Sequence, residues 1–515
     1  MKTMKRFAAI AAATVMSVST VVATASFSAF AADANTITVT EAKKNHSYTA
    51  YQIFTGTYAN DVLTSVEWGS AITDNGVALR TALQANTTLK GISEIAALTD
   101  SSTAADFAEA FSKISSNTLK TGANTEANIL ASVIEGVVDK TKGAKANNGQ
   151  FADVENGYYL ITDSIETITT GDSISRSILQ VEGSTAITLK QDAPTLEKKV
   201  IDVDDTAGTQ TDWQDSADMD IGDLVEFQLT GTLPADYAAY DSYYYKFTDT
   251  FTDGLKLDKT TFKVMAGSNE LASTDYTVTE TGNGFTLEIR NLKIANSALT
   301  TSDKVVVTYK AKLTDKAKIG SAGNPNTAKL TYSNNPNIGQ GGEKNTGDTP
   351  DDTVIVFTYE AIVNKVDGAK NPLEGANFEL FKKNSAGIYE SVTKITANTS
   401  KFEFKGIDAG EYKLVETKTP SDEYNKIDDI YFTVTAEHDV TADAPKLTKL
   451  EATSTKADFT VDANNGTLTT EVINKKGASL PTTGSIGTKI FYGTGATIAL
   501  GAGVLLIAKK RAKKD

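Results

Sequence analysis

The 515-residue sequence contains no cysteine. Disulfides are excluded, so any covalent stapling of the fold must use other chemistry. Histidine is nearly as scarce: only His46 and His438 occur, far apart in the chain. That disfavours histidine-based catalysis and a histidine-rich metal site. Basic residues are outnumbered, 50 Lys+Arg against 65 Asp+Glu, for a formal net charge of −15. Such a balance disfavours nucleic acid as a partner and suits a surface exposed to water. The residue spacing shows no phosphate-binding loop, no nucleophile–histidine–acid set and no metal cluster. A surface enzyme is therefore the least supported class, and no cofactor or metal is expected. The chain is too long for one hydrophobic core, so two to four domains are expected.

Both ends carry processing signals. Lys2, Lys5 and Arg6 precede an apolar run over residues 7–22, and Ala29-Phe30-Ala31 follows with the small-x-small pattern of a signal peptidase site. Residues 1–31 read as a secretory signal peptide. At the other end stand Leu480, Pro481, Thr482, Thr483 and Gly484, then the uncharged residues 490–508, then a basic tail from Lys509. The proline fixes φ and makes an extended, exposed kink that an enzyme cleft can grip. At about 1.5 Å rise per residue, the apolar stretch can cross most of a hydrocarbon core, and the basic tail stays cytoplasmic.

Between the signals the chain reads as mainly β: tandem Ig-like sandwich domains, with helical insertions in the first. Residues 32–190 form an N-terminal unit. Its strands fall over residues 36–40, 48–58, 157–162 and 178–190, and two or three short helices are expected from the helical spacing of apolar residues over 77–138. Asp192-Ala193-Pro194 marks a linker. Residues 194–349 form a middle unit of short strands separated by turn residues, the pattern of a sandwich. Its last stretch, 333–349, is rich in Asn, Gly and Pro and reads as a loop. Residues 354–475 form a third β unit, and 480–515 the terminal signal. A weak internal repeat lays residues 156–164 on 409–417, matching a Gly, a Tyr and an acid.

Two sets of polar residues fall on strand faces that carry apolar neighbours. In the third unit, alternation places Lys365 with Val363 and Glu416 with Tyr412 and Leu414; Asn474 ends the last strand. In the middle unit Lys198 lies with Leu196 and Val200, Asp249 sits between Phe247 and Phe251, and Asn326 opens a late strand. Lys199 and Asn324 remain as alternatives there. Burying such groups is costly unless they use one another. Desolvation favours a neutral, nucleophilic lysine and a protonated acid. The acid can then polarise the asparagine carboxamide, and lysine attack expels ammonia and leaves an amide crosslink.

The C-terminal stretch resembles the cell-wall sorting signal of Gram-positive surface proteins, which a sortase cleaves between Thr and Gly, here Thr483 and Gly484. The Tyr-x-Leu-x-Glu-Thr segment at 412–417 resembles the collagen-binding-protein B-type (CnaB-like) domains, and the middle unit looks like the isopeptide-forming domain of shaft pilins, whose acid is often Asp. The resemblance implies a Lys365–Asn474 bond formed with Glu416 and a Lys198–Asn326 bond formed with Asp249. Shaft pilins also present a lysine after the first domain, usually in a Tyr-Pro-Lys-Asn setting. Lys190 holds that position, although Thr188-Leu189-Lys190-Gln191 lacks the Tyr-Pro. The implied function is the major, shaft-forming subunit of a sortase-assembled pilus on the Gram-positive cell wall, supporting adhesion. The implied partners are a pilus (class C-type) sortase and a housekeeping sortase, other copies joined head to tail through Lys190 and Thr483, minor tip and base pilins, peptidoglycan and a host surface ligand. A monomeric wall-anchored adhesin shares every feature except a functional Lys190. In the N-terminal unit Asp163 falls where Glu416 does, but no asparagine stands opposite a strand lysine, so no crosslink is expected there.

Overall fold

The computed structural model describes residues 35–59, 62–114, 126–165, 171–189, 192–336, 343 and 345–477. Residues 1–31, Lys190, the pentapeptide Leu480 to Gly484, residues 490–508 and the basic tail lie outside the described residues. Among the described residues no helix is long and apolar enough to cross a membrane.

In the N-terminal unit, the strands Val62–Trp68, His46–Ala59, Gly157–Ile165 and Arg176–Val181 follow one another across a sheet. Asn35–Thr40 pairs with Gln150–Val154 and runs parallel to Thr185–Thr188. The single strand expected over residues 178–190 is thus two, broken where Gly183 adopts φ +76°. Among the described residues four α-helices, more than the two or three expected, occupy the helical window: Val77–Ala85, Ser93–Ala96, Ala104–Ser112 and Glu126–Val137. A capping box starts the third, with Thr103 and Asp106 satisfying each other's backbone N–H groups. The helices bury Leu83, Phe107, Phe111 and Ile134 against Phe54 and Leu160 of the sheet.

The middle unit packs two sheets face to face. One has the order Asn269–Glu270, Leu255–Ala266, Lys304–Leu313, Leu224–Thr232, Leu196–Val200. The other runs Ser216–Asp218, Asp352–Phe357, Asn324–Ser333, Tyr245–Phe251, Gly284–Ile289, Thr277–Thr281, with Thr346–Asp348 also paired to Asn324–Ser333. Strict alternation places Val305, Val307, Tyr309 and Ala311 in the core between them. Part of the expected 333–349 loop is therefore a strand, recruited by Thr331 and Ser333 on an open edge.

Asp352–Phe357 pairs with the middle sheet, and after Thr358 the chain continues as Tyr359–Asp367 in the third unit. There the sheet Lys401–Ile407, Tyr359–Asp367, Thr467–Asn474, Phe459–Asp462 faces the sheet Tyr389–Ile395, Asn377–Lys383, Gly410–Lys418, Ile430–His438, Leu447–Ser454. Gly320 of the middle unit and Gly466 of the third meet with their backbones in contact, both at positive φ. A Cβ on Gly320 would stand 2.5 Å from the Asn465 carbonyl carbon. The internal repeat has a structural counterpart: the Tyr159 hydroxyl donates to the Glu155 carbonyl at 2.9 Å, and the Tyr412 hydroxyl donates to the Asp408 carbonyl at 3.1 Å.

Candidate functional site

In the middle unit, Lys198 and Tyr309 come from one sheet, and Asp249 and Asn326 from adjacent strands of the other. All four are fully buried, at 0 to 1 % exposure. Lys198 Nζ donates to Asp249 Oδ2 at 2.5 Å and to the Tyr309 hydroxyl at 2.9 Å. The Tyr309 hydroxyl donates to Asp249 Oδ2 at 2.9 Å and accepts from Asn326 Nδ2 at 2.9 Å. Asp249 Oδ1 and Asn326 Oδ1 are buried without a hydrogen-bond partner. The ammonium lies 5.3 Å from the Phe227 ring centre, and Phe262 and Phe285 pack on Tyr309. Removal from water pushes the Lys198 amine down, against the pull of Asp249, and pushes the Asp249 carboxyl up, against the pull of Lys198. Both shifts favour moving one proton across the short contact, which yields a neutral amine beside a neutral acid.

The two alternatives point elsewhere. Lys199 is partly exposed and pairs with Asp215 at 2.6 Å. Asn324 is buried, but it spans the Lys318 turn: it accepts from Lys318 N at 2.9 Å and donates to the Lys318 and Val356 carbonyls at 3.1 Å each. Its amide is fully occupied in structure. Tyr309 was not singled out from the sequence. The available signal was a tyrosine on the inward row of an alternating strand, whose hydroxyl needs a buried partner.

The third unit arranges its set differently. Lys365 and Asn474 lie on neighbouring parallel strands, and Glu416 reaches in from the facing sheet. All three are 0 % exposed. Lys365 Nζ donates to the Val472 and Val366 carbonyls at 2.9 and 3.2 Å. Burial lowers its amine to about 8, although Glu416 and Asp367 oppose the shift. Asn474 Nδ2 donates to Glu416 Oε2 at 3.1 Å and to the Asn425 carbonyl at 2.6 Å. Glu416 Oε1 and Asn474 Oδ1 are again buried without a partner. In both units the carbonyl oxygen to be polarised and one oxygen of the acid remain unused.

The N-terminal unit does something else at the matching position. Asp163 accepts from His46 Nδ1 at 2.8 Å, and His46 Nε2 lies 3.5 Å from Asp172.

Against the expectation from sequence, the fold assembles a serine–histidine–acid group. His438 comes from the third unit and Ser216, Asp202 and Asp218 from the middle one. Ser216 Oγ donates to the Asp439 carbonyl at 2.5 Å, so at 2.7 Å it must accept from His438 Nδ1. His438 Nε2 faces Asp202 and Asp218 at 3.4 and 3.5 Å. Burial alone would lower this imidazole, but the two carboxylates raise it to about 9. A doubly protonated ring has no lone pair for a serine proton, so the group is an ion cluster and not a nucleophile. Beside it Lys382 of the third unit donates to Asp205, Asp220 and Asp408 at 2.6–2.8 Å. Two cations of the third unit, His438 and Lys382, thus each meet two carboxylates of the middle unit, and Lys382 also meets Asp408 of its own unit.

Fold and buried sets together define a modular β-sandwich protein whose two downstream units each gather a lysine, an acid and an asparagine. Comparison with known families places residues 221–336 in the Gram-positive pilin backbone subunit 2, Cna-B-like domain. Residues 360–449 match the SpaA prealbumin-like fold domain, and residues 473–515 match the LPXTG cell wall anchor motif. The trypsin-resistant surface T6 protein of Streptococcus pyogenes serotype M6 is 27% identical over 401 residues, 64% of this chain and 71% of that protein. The solved T6 backbone pilin of that serotype superposes with a TM-score of 0.55 at 18% identity, covering 86% of this chain and 98% of the other. The full-length major pilin SpaD of Corynebacterium diphtheriae gives 0.47 at 16% identity, covering 86% and 98%. The chain carries pilin domains and a wall-anchor motif, and it is a major pilus subunit anchored to the cell wall.

Proposed function

We propose that this subunit polymerises covalently and crosslinks itself at two internal sites, Lys198–Asn326 with Asp249 and Lys365–Asn474 with Glu416. One observation carries the reading: the middle and third units each bury a lysine, an acid and an asparagine together and leave the asparagine carbonyl oxygen unpartnered. As isolated polar residues these would each destabilise the core. As reactants they have a use, since nucleophile, carboxamide and acid are already desolvated and in place. Each reaction runs once, on the chain itself, and no turnover activity is assigned.

Secretion would begin from the signal peptide at 1–31. A pilus sortase would cleave between Thr483 and Gly484, within the motif Leu480, Pro481, Thr482, Thr483 and Gly484, and hold Thr483 as a thioester. Lys190 of another copy, at the junction before the middle unit, would then attack. Such a contact is heterologous and does not close, so it builds a filament. A housekeeping sortase would attach the base to peptidoglycan, and tip and base pilins and a host ligand complete the set of partners. The units are taken to divide near Asp192 and near Thr358.

The test combines mass and polymer state. Mass spectrometry of the native chain should show two ammonia losses, with Lys198→Ala and Lys365→Ala each removing one. Lys190→Ala should fold and reach the wall but appear only as monomer on a denaturing gel. A native mass equal to the sum of its residues would refute the internal bonds, and high-mass ladders from Lys190→Ala would refute the junction.

A further inference from the structure

The two candidate crosslinking sites differ in how the acid reaches the amide. In the third unit Glu416 touches the leaving nitrogen of Asn474 directly. In the middle unit the acid is Asp249, one methylene shorter, and the group hydrogen-bonded to the Asn326 nitrogen is the Tyr309 phenol. That single oxygen lies 2.9 Å from the lysine nitrogen, 2.9 Å from the amide nitrogen and 2.9 Å from the acid. It bridges the attacking atom and the leaving atom. Three aromatic rings, Phe227, Phe262 and Phe285, hold the Tyr309 ring in this position.

We propose that Tyr309 is a catalytic residue of the middle unit, its phenol carrying the proton from the attacking nitrogen of Lys198 to the leaving nitrogen of Asn326. The proposal rests on the reading of Lys198, Asp249 and Asn326 as a bond-forming set. The atoms balance without any external reactant. One ammonium proton first passes from Nζ to Asp249 Oδ2. The neutral Nζ then attacks Asn326 Cγ, forming the Nζ–Cγ bond. The phenol oxygen takes a proton from Nζ and gives its own to Nδ2. The Cγ–Nδ2 bond breaks, and ammonia leaves with the two amide hydrogens and the former phenol hydrogen. Tyr309 ends as a neutral phenol and Asp249 as a neutral acid. Burial and the neighbouring Asp249 hold the phenol far above its ordinary ionisation range, so it enters the step protonated. No equivalent hydroxyl contacts Lys365 or Asn474 among the described residues, and there Glu416 itself meets the amide nitrogen.

The experiment follows bond formation in time on the pulse-labelled full chain. After digestion, the linked peptides bearing Lys198–Asn326 and Lys365–Asn474 are quantified separately. In Tyr309→Phe the middle bond should form about 100-fold more slowly, at the low end of a general acid–base contribution. The third-unit bond in the same molecules should form at the native rate, which reports that the chain has folded. Equal rates for the middle bond in Tyr309→Phe and the native chain overturn the proposal. If the native chain shows no linked Lys198–Asn326 peptide, the bond-forming set itself is wrong, a separate outcome. Should Tyr309→Phe lose its protease resistance, 3-fluorotyrosine at position 309 decides, because it changes the acidity of the hydroxyl more than its size. A native rate with fluorotyrosine then overturns the relay; a changed rate supports it.

Discussion

Replacing Asn326 with alanine removes the acyl group of the middle crosslink and little else. Asn326 makes one hydrogen bond, to Tyr309, so its loss costs about 1 kcal/mol. The Lys198–Asp249 pair stays, so no buried charge is stranded. What disappears is the covalent closure of a loop of about 130 residues, worth about 5 kcal/mol by the chain-entropy estimate used for disulfides. In a unit of this size that corresponds to a fall of roughly 10–20 °C in its melting transition. Calorimetry of the native and Asn326→Ala chains, with the intact mass of each, reads both quantities. The mass deficit should fall from two ammonia molecules to one. Asn324→Ala is the matched comparison: it loses its three bonds to the Lys318 turn and to Val356 but should keep both ammonia losses. An Asn326→Ala chain that keeps the native mass deficit, or melts with the native chain, sinks the assignment.

Glu416→Ala should abolish only the third-unit bond; an intact Lys365–Asn474 linked peptide in this variant would show that the acid is not required. The His438 cluster predicts a pH-dependent joint between the middle and third units. Its folded pKa is raised to about 9 from an ordinary value near 6.5, so its contribution, about 3 kcal/mol, is complete below pH 6.5 and lost as pH rises through 9. His438→Gln should flatten the stability profile between those values, and an unchanged slope counts against the cluster. Gly320→Ala forces a Cβ into the 464–466 turn at positive φ and should loosen the same joint by more than about 1 kcal/mol. Small-angle scattering would detect the wider distribution of interunit angles, and an unaltered profile would contradict the close packing.

Much of the fold was legible because strands with one buried face alternate, as Lys304–Leu313 does. The inward direction of Lys198 over Lys199 followed from the same rule. Strands with exposed faces, such as Tyr389–Ile395, lack that signal and were missed. The helical window was clear, but its division into four helices depended on local caps such as Thr103 and Asp106. At the site, lysine, acid and asparagine were readable from apolar neighbours on their strands. Tyr309 was not, because a buried tyrosine on an alternating strand looks like ordinary core until its hydroxyl partners are known. The His438 cluster was invisible for a different reason. Its members are more than 200 residues apart, and only the docking of two units brings them together.

The passage of the chain from Asp352–Phe357 into Tyr359–Asp367 decides where tension runs in a pilus. If copies are joined through Lys190 and Thr483 as proposed, pulling on a subunit enters at the one and leaves at the other. With both internal bonds made, the taut path is 190–198, across to 326, along 326–365, across to 474, and on to 483. The long segments between each bonded pair hang off that path, as does the whole N-terminal unit. About 55 residues remain that can be drawn out, at most about 200 Å, against about 1000 Å for the unbonded stretch. With those bonds in place, the slack in each subunit would be confined to residues 190–198, 326–365 and 474–483. The exposed loops and helices that face the surroundings are free to vary without lengthening under strain.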